Sequence, residues 1–326
     1  MVEEELMLEQ EVKDILAHIE NNRNFLLSGG AGSGKTYSLV HVIRELIRMH
    51  PSSKIACMTY TNAAKKQILE RVDHDNLEIS TIHDFLWNII GNFQIELKAV
   101  LRELHNDTDD RRIRYTGTDI EPEDLVDEKV QYKEYVAARH GVISHDEIIV
   151  IAEAMFARYP KLSHVTKSMY KFILLDEYQD TSPDVVKILM EHFQQSDKAT
   201  IVGFFGDSMQ SIYDGTVGNL DNYIASGRIH AVVKKQNRRN PQAVIDLANL
   251  VRDDGLEQEP STDLDAPNMV DGKVKCGAVR FLYSENEDLK SSDARERLGW
   301  DFEDVRNVKE LNLTHNCKRR GNTRPQ

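Results

Sequence analysis

The sequence predicts an α/β fold built on a buried parallel sheet, and three observations support this prediction. Short apolar runs recur along the chain, and segments with helical periodicity separate them. Strands buried on both faces read as continuous apolar runs, which is typical of parallel sheets covered by helices. A glycine-rich loop joins the first apolar run to the first helical segment. The predicted strands are Phe25–Leu27, Lys54–Tyr60, Phe172–Leu175 and Ala199–Gly203. Toward the end of the chain, Val274–Tyr283 and Val308–Thr314 are predicted as strands around a charged helical segment.

The composition is that of a globular protein. The chain has 326 residues, of which 40% are hydrophobic and 29% charged, enough for two or more domains. The acidic start lacks the signature of a signal peptide, and no apolar run approaches the ~20 residues that span a bilayer. Three scattered cysteines favour a reducing cytoplasm. The net charge of −13 disfavours general attraction to nucleic acid but leaves room for a local basic groove.

The glycine-rich loop matches the pattern G-x-x-x-x-G-K-[ST], which is typical of phosphate-binding loops. Its glycines let successive backbone N–H groups turn toward the phosphates of a nucleoside triphosphate. The lysine would reach the β- and γ-phosphates, and the threonine hydroxyl would hold Mg²⁺. The strand before the loop and the helix after it complete the expected context, since a helix N-terminus favours anions. The predicted phosphate-binding residues are Gly29, Gly30, Ala31, Gly32, Ser33, Gly34, Lys35 and Thr36.

Two adjacent carboxylates end a later apolar strand and indicate hydrolysis. Asp176 is placed to hold Mg²⁺, and Glu177 to orient and deprotonate an attacking water. A kinase has no need of the second carboxylate, because its acceptor supplies the nucleophile. A phosphoryl-transfer enzyme of another phosphate-loop class is therefore disfavoured.

Two further segments carry candidate γ-phosphate contacts. Gly206–Tyr213 offers the amide of Gln210, and the run from Gln236 to Pro241 offers the guanidinium of Arg238 or Arg239. Taken alone, each segment is equally well explained as a surface turn or a solvated basic cluster.

Seven segments, in order, resemble the UvrD/Rep/PcrA family of superfamily-one DNA helicases. The resemblance covers roughly residues 8–250, and its most specific parts are D-E-Y-Q-D-T and G-D-x-x-Q-S-I-Y. The matching segments lie at Leu8–Gln10, Gly29–Thr36, Thr59–Ala64, Thr81–Phe85, Asp176–Thr181, Gly206–Tyr213 and Asn237–Arg239.

The resemblance implies a RecA-like domain that uses ATP and Mg²⁺ and moves 3′ to 5′ on single-stranded or partly duplex DNA, with RNA left open. Gln10 would read adenine, and Gln210 and Arg239 would sense the γ-phosphate. The residues implied on the DNA side are Thr59, Thr61, Asn62, His83 and Phe85.

Three departures from the family pattern bear on function. Arg238 replaces the aromatic residue that stacks on adenine, although a guanidinium can also stack on a base. The tryptophan expected after Tyr213 is missing, which should weaken the hold on a strand unless Tyr213, Phe85 or Trp87 substitutes. The family's later segments, including a second γ-phosphate arginine, are absent from these 326 residues.

From these observations we expect five parts and little motor activity from this chain alone. The alternative is a nucleotide-binding module with little turnover that binds DNA or a partner protein. The predicted parts are residues 1–90 with 166–252 as the RecA-like domain, 91–165 as a helical insertion, 253–272 as a linker, 273–316 as the start of a second RecA-like domain, and 317–326 as a basic tail.

Overall fold

The computed structural model describes residues 8–109, 112–213, 215–283, 291–304 and 306–309. It divides into two compact units, Met1–Gly277 and Ala278–Gln326. The second unit contains one described helix, which matches the charged helical segment expected there. Among the helices that the described residues form, none has the length and apolar character needed to cross a bilayer.

The strands of the first unit run in chain order as β1 to β12. Half of them belong to one sheet, and the other half form three pairs of two-residue strands. They are β1 (Phe25–Gly29), β2 (Ile55–Thr59), β3 (Leu77–Thr81), β4 (Gln131–Tyr132), β5 (Val142–Ile143), β6 (Phe172–Asp176), β7 (Ile201–Gly206), β8 (His230–Lys234), β9 (Gln236–Asn237), β10 (Glu259–Pro260), β11 (Met269–Val270) and β12 (Lys273–Val274).

Six of these strands form one sheet in the order β3-β2-β6-β7-β1-β8. Every pairing within this sheet is parallel. This arrangement confirms the predicted α/β class with a parallel sheet. The two edge strands, β3 and β8, were not predicted, because their mixed polar and apolar residues do not form an apolar run.

The α-helices are numbered in chain order across both units. They are α1 (Gln10–Glu20), α2 (Lys35–Met49), α3 (Asn62–Leu69), α4 (Ile82–Ile90), α5 (Gln94–Asn106), α6 (His145–Arg158), α7 (Pro160–Met169), α8 (Pro183–Met190), α9 (Asp221–Ala225), α10 (Gln242–Val251) and α11 (Ser291–Leu298).

The sheet separates two hydrophobic cores because successive residues of each strand point to opposite faces. Leu26 and Phe204 belong to the core shared with the region 91–165. Phe25 and Phe205 belong to the opposite core, which α1, α2 and α3 cover. Burial on both faces leaves the carboxyl edge of the parallel strands as the place for polar side chains.

A cluster of ion pairs around the buried Glu153 joins the region 91–165 to the rest of the first unit. Glu153 on α6 accepts hydrogen bonds from Lys187 at 2.7 Å, His192 at 2.9 Å and Arg112 at 3.0 Å. Burial by itself would raise the pKa of Glu153, but these hydrogen bonds outweigh it and lower that pKa to about 2. The cluster therefore connects α6 to α8 and to the turn that follows it.

Among the described residues after 252, the regular elements are β10, β11, β12 and α11. A strand expected over residues 274–283 is wrong: only Lys273–Val274 is a strand, and residues 275–283 have no regular structure. A strand expected over 308–314 lies largely outside the described residues, as does the predicted basic tail. Residues 253–272, predicted as a linker, place Leu256, Gln258 and Asn268 in buried positions.

Candidate nucleotide-binding and hydrolysis site

The phosphate-binding loop leaves the carboxyl end of β1 and enters the N-terminus of α2. Gly32 and Gly34 adopt φ values of +89° and +87°, which side chains disfavour, so the loop requires glycine at both positions. Lys35 is buried, and its Nζ donates a hydrogen bond to the Gly29 carbonyl at 2.8 Å. The loop therefore folds around its own lysine, with backbone N–H groups at the start of a 15-residue helix.

The charge of Lys35 depends on the acidic groups around it. Burial lowers the pKa of Lys35, whereas Glu177, Asp207 and Asp176 act in the opposite direction. These three carboxylates come from the ends of β6 and β7. The predicted phosphate-binding lysine and the predicted carboxylate pair thus lie in one electrostatic cluster.

Asp176 ends β6 as a buried carboxyl group with 3% of its surface exposed. Burial, reinforced by the charge of Glu177, raises the pKa of Asp176 to about 7, against the opposing effect of Lys35 and of a backbone hydrogen bond. A divalent cation would favour the ionised carboxylate. The hydroxyl of Thr36 and the carboxylate of Asp176 are hard oxygen donors of the kind that Mg²⁺ prefers, so these residues fit the ion.

Glu177 follows in a left-handed backbone conformation, with φ of +49°. This conformation is rare for residues other than glycine, and such strain is typically retained at functional sites. The sharp turn separates the side chain of Glu177 from the strand and leaves it half-buried. Its neighbour Asp176 stays in the interior.

A chain of hydrogen bonds connects Glu177 to the predicted segment Gly206–Tyr213. Gln179 donates through Nε2 to the Glu177 carboxylate at 2.9 Å and accepts from the Asp207 N–H at 3.0 Å. Gln210 donates through Nε2 to the Asp207 carboxylate at 2.7 Å. Glu177 and Gln210, both predicted from sequence, are therefore linked through two residues for which no role was predicted.

Arg252 is a residue of this cluster that sequence reasoning missed. Its guanidinium donates to both oxygens of Asp207, at 2.9 and 2.8 Å, and also binds Asp254. Burial by itself would raise the pKa of Asp207, but the hydrogen bonds from Arg252 and Gln210 lower it. In the sequence Arg252 stands in an acidic stretch after α10, and nothing there distinguishes it from a solvated surface residue.

The run from Gln236 to Pro241 contacts and supports the phosphate-binding loop. Asn237, which is fully buried, and Asn240 both donate through Nδ2 to the Ala31 carbonyl, at 2.8 and 3.0 Å. The N–H of Arg238 donates to the Gly32 carbonyl at 3.0 Å. The segment predicted to sense phosphate thus contacts the loop through its asparagines and its backbone, while the Arg239 side chain is exposed.

Arg238 lies beside an aromatic ring that the sequence analysis did not consider. Its guanidinium is 5.9 Å from the centroid of the Tyr37 ring, within cation–π range, and it also pairs with Asp263. Tyr37 directly follows Thr36 and is exposed. Gln10, the predicted adenine reader, is exposed at the start of α1 and donates to Asp14 at 2.8 Å.

The residues predicted on the DNA side divide into exposed and buried ones. Thr61 and Asn62 are exposed at the start of α3, where the Thr61 hydroxyl accepts from the Ala64 N–H at 3.1 Å. Thr59 is buried and donates to the Thr61 carbonyl. Phe85 is 2% exposed and packs on Tyr170 in the core, which corrects its prediction as a DNA contact because no face of its ring is open to a base.

His83 lies in an unusual pair of histidines. Its ring stacks on that of His145 with centroids 3.3 Å apart, and His145 also contacts the hydroxyl of Tyr132 at 3.0 Å. Burial, and then the neighbouring His145, lower the pKa of His83 to about 4, although Asp84 and Asp146 oppose the shift. His83 is therefore neutral at physiological pH.

Two exposed tyrosines form a stacked pair at the surface. Tyr60 and Tyr213 stack with ring centroids 6.0 Å apart, and they are 46% and 51% exposed. Tyr60 directly follows β2, and Tyr213 ends the segment that contains Gln210. Tyr213 is one of the predicted substitutes for the missing tryptophan, whereas no role was predicted for Tyr60.

The sequence matches the model of one protein family, AAA_19, described as an AAA domain, over residues 13–216. The chain belongs to this family. The match includes the phosphate-binding loop, the carboxylate pair and the segment of Gln210, which together make up most of the cluster described above.

Relatives agree with the resemblance that the motifs predicted. The Gabija protein GajB of Bacillus cereus (strain HuB5-5) is 25% identical over 90% of this chain and 55% of its own length. The ATP-dependent DNA helicase PcrA of Bacillus subtilis (strain 168) is 27% identical over 72% of this chain and 38% of its own. The chain thus spans about half, or less, of these relatives. Together with the family match, they confirm the resemblance to superfamily-one helicases of the UvrD/Rep/PcrA kind.

Among solved structures, unliganded Pif1 from Bacteroides sp is similar to this chain with a TM-score of 0.38. The two are 14% identical over 75% of this chain and 45% of that one. This score describes a partial likeness only.

We expect Lys35→Ala to abolish or severely weaken binding of ATP–Mg²⁺. The substitution removes a buried cation from the phosphate-binding loop, and a charge-assisted contact to phosphate is worth about 1.5–3 kcal/mol or more. Calorimetric titration would measure the loss, with Lys54→Ala, at an exposed position before β2, as the control. Equal affinities of wild type and Lys35→Ala would contradict the assignment of the loop.

We expect the histidine pair to make the fold sensitive to acid. The unfolded chain takes up a proton at His83 near pH 6.5, whereas the folded chain does so only near pH 4. The free energy of unfolding should therefore fall as the pH drops through this window. Urea unfolding at pH 7.5 and pH 5 should show a smaller loss for His83→Gln than for wild type.

The matched control for this experiment is His140→Gln, at an exposed position in the region 91–165. It should keep the pH dependence of wild type. If His83→Gln and wild type lost the same free energy between the two pH values, the assignment of a depressed pKa to His83 would be refuted.

Proposed function

We propose that this chain is the ATP-hydrolysing portion of a DNA helicase or translocase, which uses Mg²⁺ and moves 3′ to 5′ along single-stranded DNA. The observation that carries the proposal is the hydrogen-bonded path from Glu177 through Gln179 and Asp207 to Gln210 at the carboxyl edge of the sheet. Family membership and the PcrA relatives support it. A cytoplasmic location is part of the proposal, supported by the sparse cysteines.

In the proposed reaction each residue has a definite task. The phosphate-binding loop and Lys35 hold the β- and γ-phosphates, and Asp176 with Thr36 would hold Mg²⁺, which stabilises the charge that develops on the transferred phosphate. Glu177 accepts a proton from the attacking water. Gln179 holds the Glu177 carboxylate through a 2.9 Å hydrogen bond and so orients it.

The site also offers a route by which a change at the nucleotide would reach bound single-stranded DNA. Gln210 faces the cluster around Asp207, and three residues later Tyr213 extends its ring to the surface. The hydroxyl of Ser211, between them, donates to the Gln179 carbonyl at 3.4 Å. A shift of Gln210 on loss of the γ-phosphate would therefore be transmitted to the exposed tyrosine pair, which we propose as the platform for a DNA base.

We further propose that these 326 residues alone do not unwind duplex DNA. Translocation requires two domains that grip the strand in turn, and a γ-phosphate arginine delivered from an opposing domain is worth about 10³–10⁵ in rate in related enzymes. Its segment is not found in this sequence. The ATPase rate with and without single-stranded DNA distinguishes a motor portion from the second candidate, a nucleotide-binding module with little turnover.

We expect Glu177→Gln to retain nucleotide binding and to lose hydrolysis. The amide keeps the shape of the side chain and can still accept from Gln179 through its oxygen, but it cannot take the proton of water. Phosphate release measured at saturating ATP would test the rate, and calorimetry with ADP would test binding. The control is Glu191→Gln, which lies at the end of α8 and accepts from the Tyr223 hydroxyl. Wild-type turnover by Glu177→Gln would exclude Glu177 as the base.

We expect Tyr213→Ala to weaken binding of a single-stranded oligonucleotide by about 1–3 kcal/mol, because that is the range for loss of one base–aromatic stack. Tyr213→Phe should keep most of the affinity, since stacking needs the ring and not the hydroxyl. Fluorescence anisotropy with labelled oligothymidylate measures both. Tyr135→Ala, which removes a 57% exposed tyrosine from the region 91–165, is the control. Equal losses for Tyr213→Ala and Tyr135→Ala would argue against the platform.

A further inference from the structure

The segment 252–261, here called the crossing segment, passes over the carboxyl edge of the sheet. It begins at Arg252, which is bound to Asp207 at the end of β7. It ends in β10, which pairs with β9 just beyond β8. Because β1 lies between β7 and β8, the crossing segment passes the end of β1, where the phosphate-binding loop begins.

Gln258 is the residue of the crossing segment that reaches the loop. Its backbone is fixed by Asn249, whose side chain accepts from the Gln258 N–H and donates to the Gln258 carbonyl, both at 2.8 Å. Its carboxamide packs directly on Gly30. A Cβ atom at Gly30 would lie 2.4 Å from Nε2 of Gln258, so this approach requires glycine in the loop.

The carboxamide of Gln258 is buried without a partner for its donor. The residue is 3% exposed, and Nε2 forms no hydrogen bond. An unsatisfied buried donor costs about as much as a lost hydrogen bond, so it calls for an explanation such as a ligand. The group that the adjoining loop is built to hold is a phosphate, whose oxygens accept hydrogen bonds.

We propose that Gln258 is a further nucleotide-contacting residue, which donates from Nε2 to the γ-phosphate of ATP. This inference rests on the proposed function, because it requires ATP in the phosphate-binding loop. In the proposed reaction the γ-phosphate is the reacting group, and it is the phosphate that Glu177 and Gln210 would serve. The crossing segment runs from Arg252 to the contact with Gly30. Arg252 and Gln210 both donate to the carboxylate of Asp207, so the segment starts beside the predicted γ-phosphate sensor. Gln258 thereby distinguishes ATP from ADP.

The test compares two nucleotides on the full 326-residue chain. Calorimetry would measure the affinities for Mg²⁺–AMP-PNP, a non-hydrolysable triphosphate, and for Mg²⁺–ADP. Gln258→Ala should weaken AMP-PNP binding about tenfold or more, in line with loss of a hydrogen bond to a charged group, and leave ADP binding within about twofold. Gln258→Glu should weaken AMP-PNP binding further, since it places a carboxylate beside the phosphate.

One control variant and one alternative to the alanine variant complete this test. Gln242→Ala removes a glutamine side chain on α10 that bonds only to Asp246 among the contacts of the described residues, and it should change neither affinity. Gln258→Glu keeps the size and shape of the side chain, so it carries the test if the alanine variant fails to fold.

Other outcomes would overturn the inference. Unchanged affinities for both nucleotides would show that Gln258 makes no phosphate contact. Tighter binding of both nucleotides by Gln258→Ala would show that the side chain obstructs the loop instead of serving it. If the wild-type chain bound neither nucleotide, the proposed function itself would fail, which is distinct from failure at Gln258 alone.

Discussion

One buried carboxylate, that of Asp207, holds the candidate site together. It accepts two hydrogen bonds from Arg252, one from Gln210 and one from the Met209 N–H, and its charge helps to keep Lys35 protonated. Asp207 is fully buried, so its charge is tolerable only while these partners remain. Removing one partner of such a buried pair typically costs about 3–5 kcal/mol. The end of β7, the crossing segment and the phosphate-binding loop consequently depend on the same group.

The candidate site is buried and hydrogen-bonded on the side of Asp207 and exposed on the other side. Around Asp207 the side chains are buried or half-buried and hydrogen-bonded to one another, which would preorganise polar groups for the proposed hydrolysis. A few residues later the same segment leaves the interior, and Ile212 and Tyr213 are largely exposed. A short peptide thus connects a preorganised polar cluster to a surface aromatic pair. In the proposed function, a change at the nucleotide would reach bound DNA through this segment.

Sequence reasoning predicted the parts of the site that depend on local patterns. The phosphate-binding loop, Asp176 and Glu177 are each recognised within a few residues, and the parallel sheet follows from short apolar runs between helices. Arg252 and Gln258 act through contacts with Asp207 and Gly30, residues far away in the chain, and no local pattern marks them. Phe85 failed for the opposite reason: its segment resembles a DNA-contacting motif, but the amphipathic face of α4 turns the ring into the core, where it packs on Tyr170.

The neighbouring ring of Tyr37 offers a physical explanation for the arginine at position 238. The family pattern places an aromatic residue where this chain has Arg238, and the chain has an exposed aromatic ring, Tyr37, opposite that guanidinium. A guanidinium and an aromatic ring can both stack on a base. Arg238 and Tyr37 together therefore offer two planar groups for such stacking. The N–H of Arg238 donates to the Gly32 carbonyl of the phosphate-binding loop. The guanidinium of Arg238 pairs with Asp263, which lies two residues after the crossing segment. Base stacking and phosphate binding would therefore be coupled through the same stretch of chain, even though the individual residue differs from the family's.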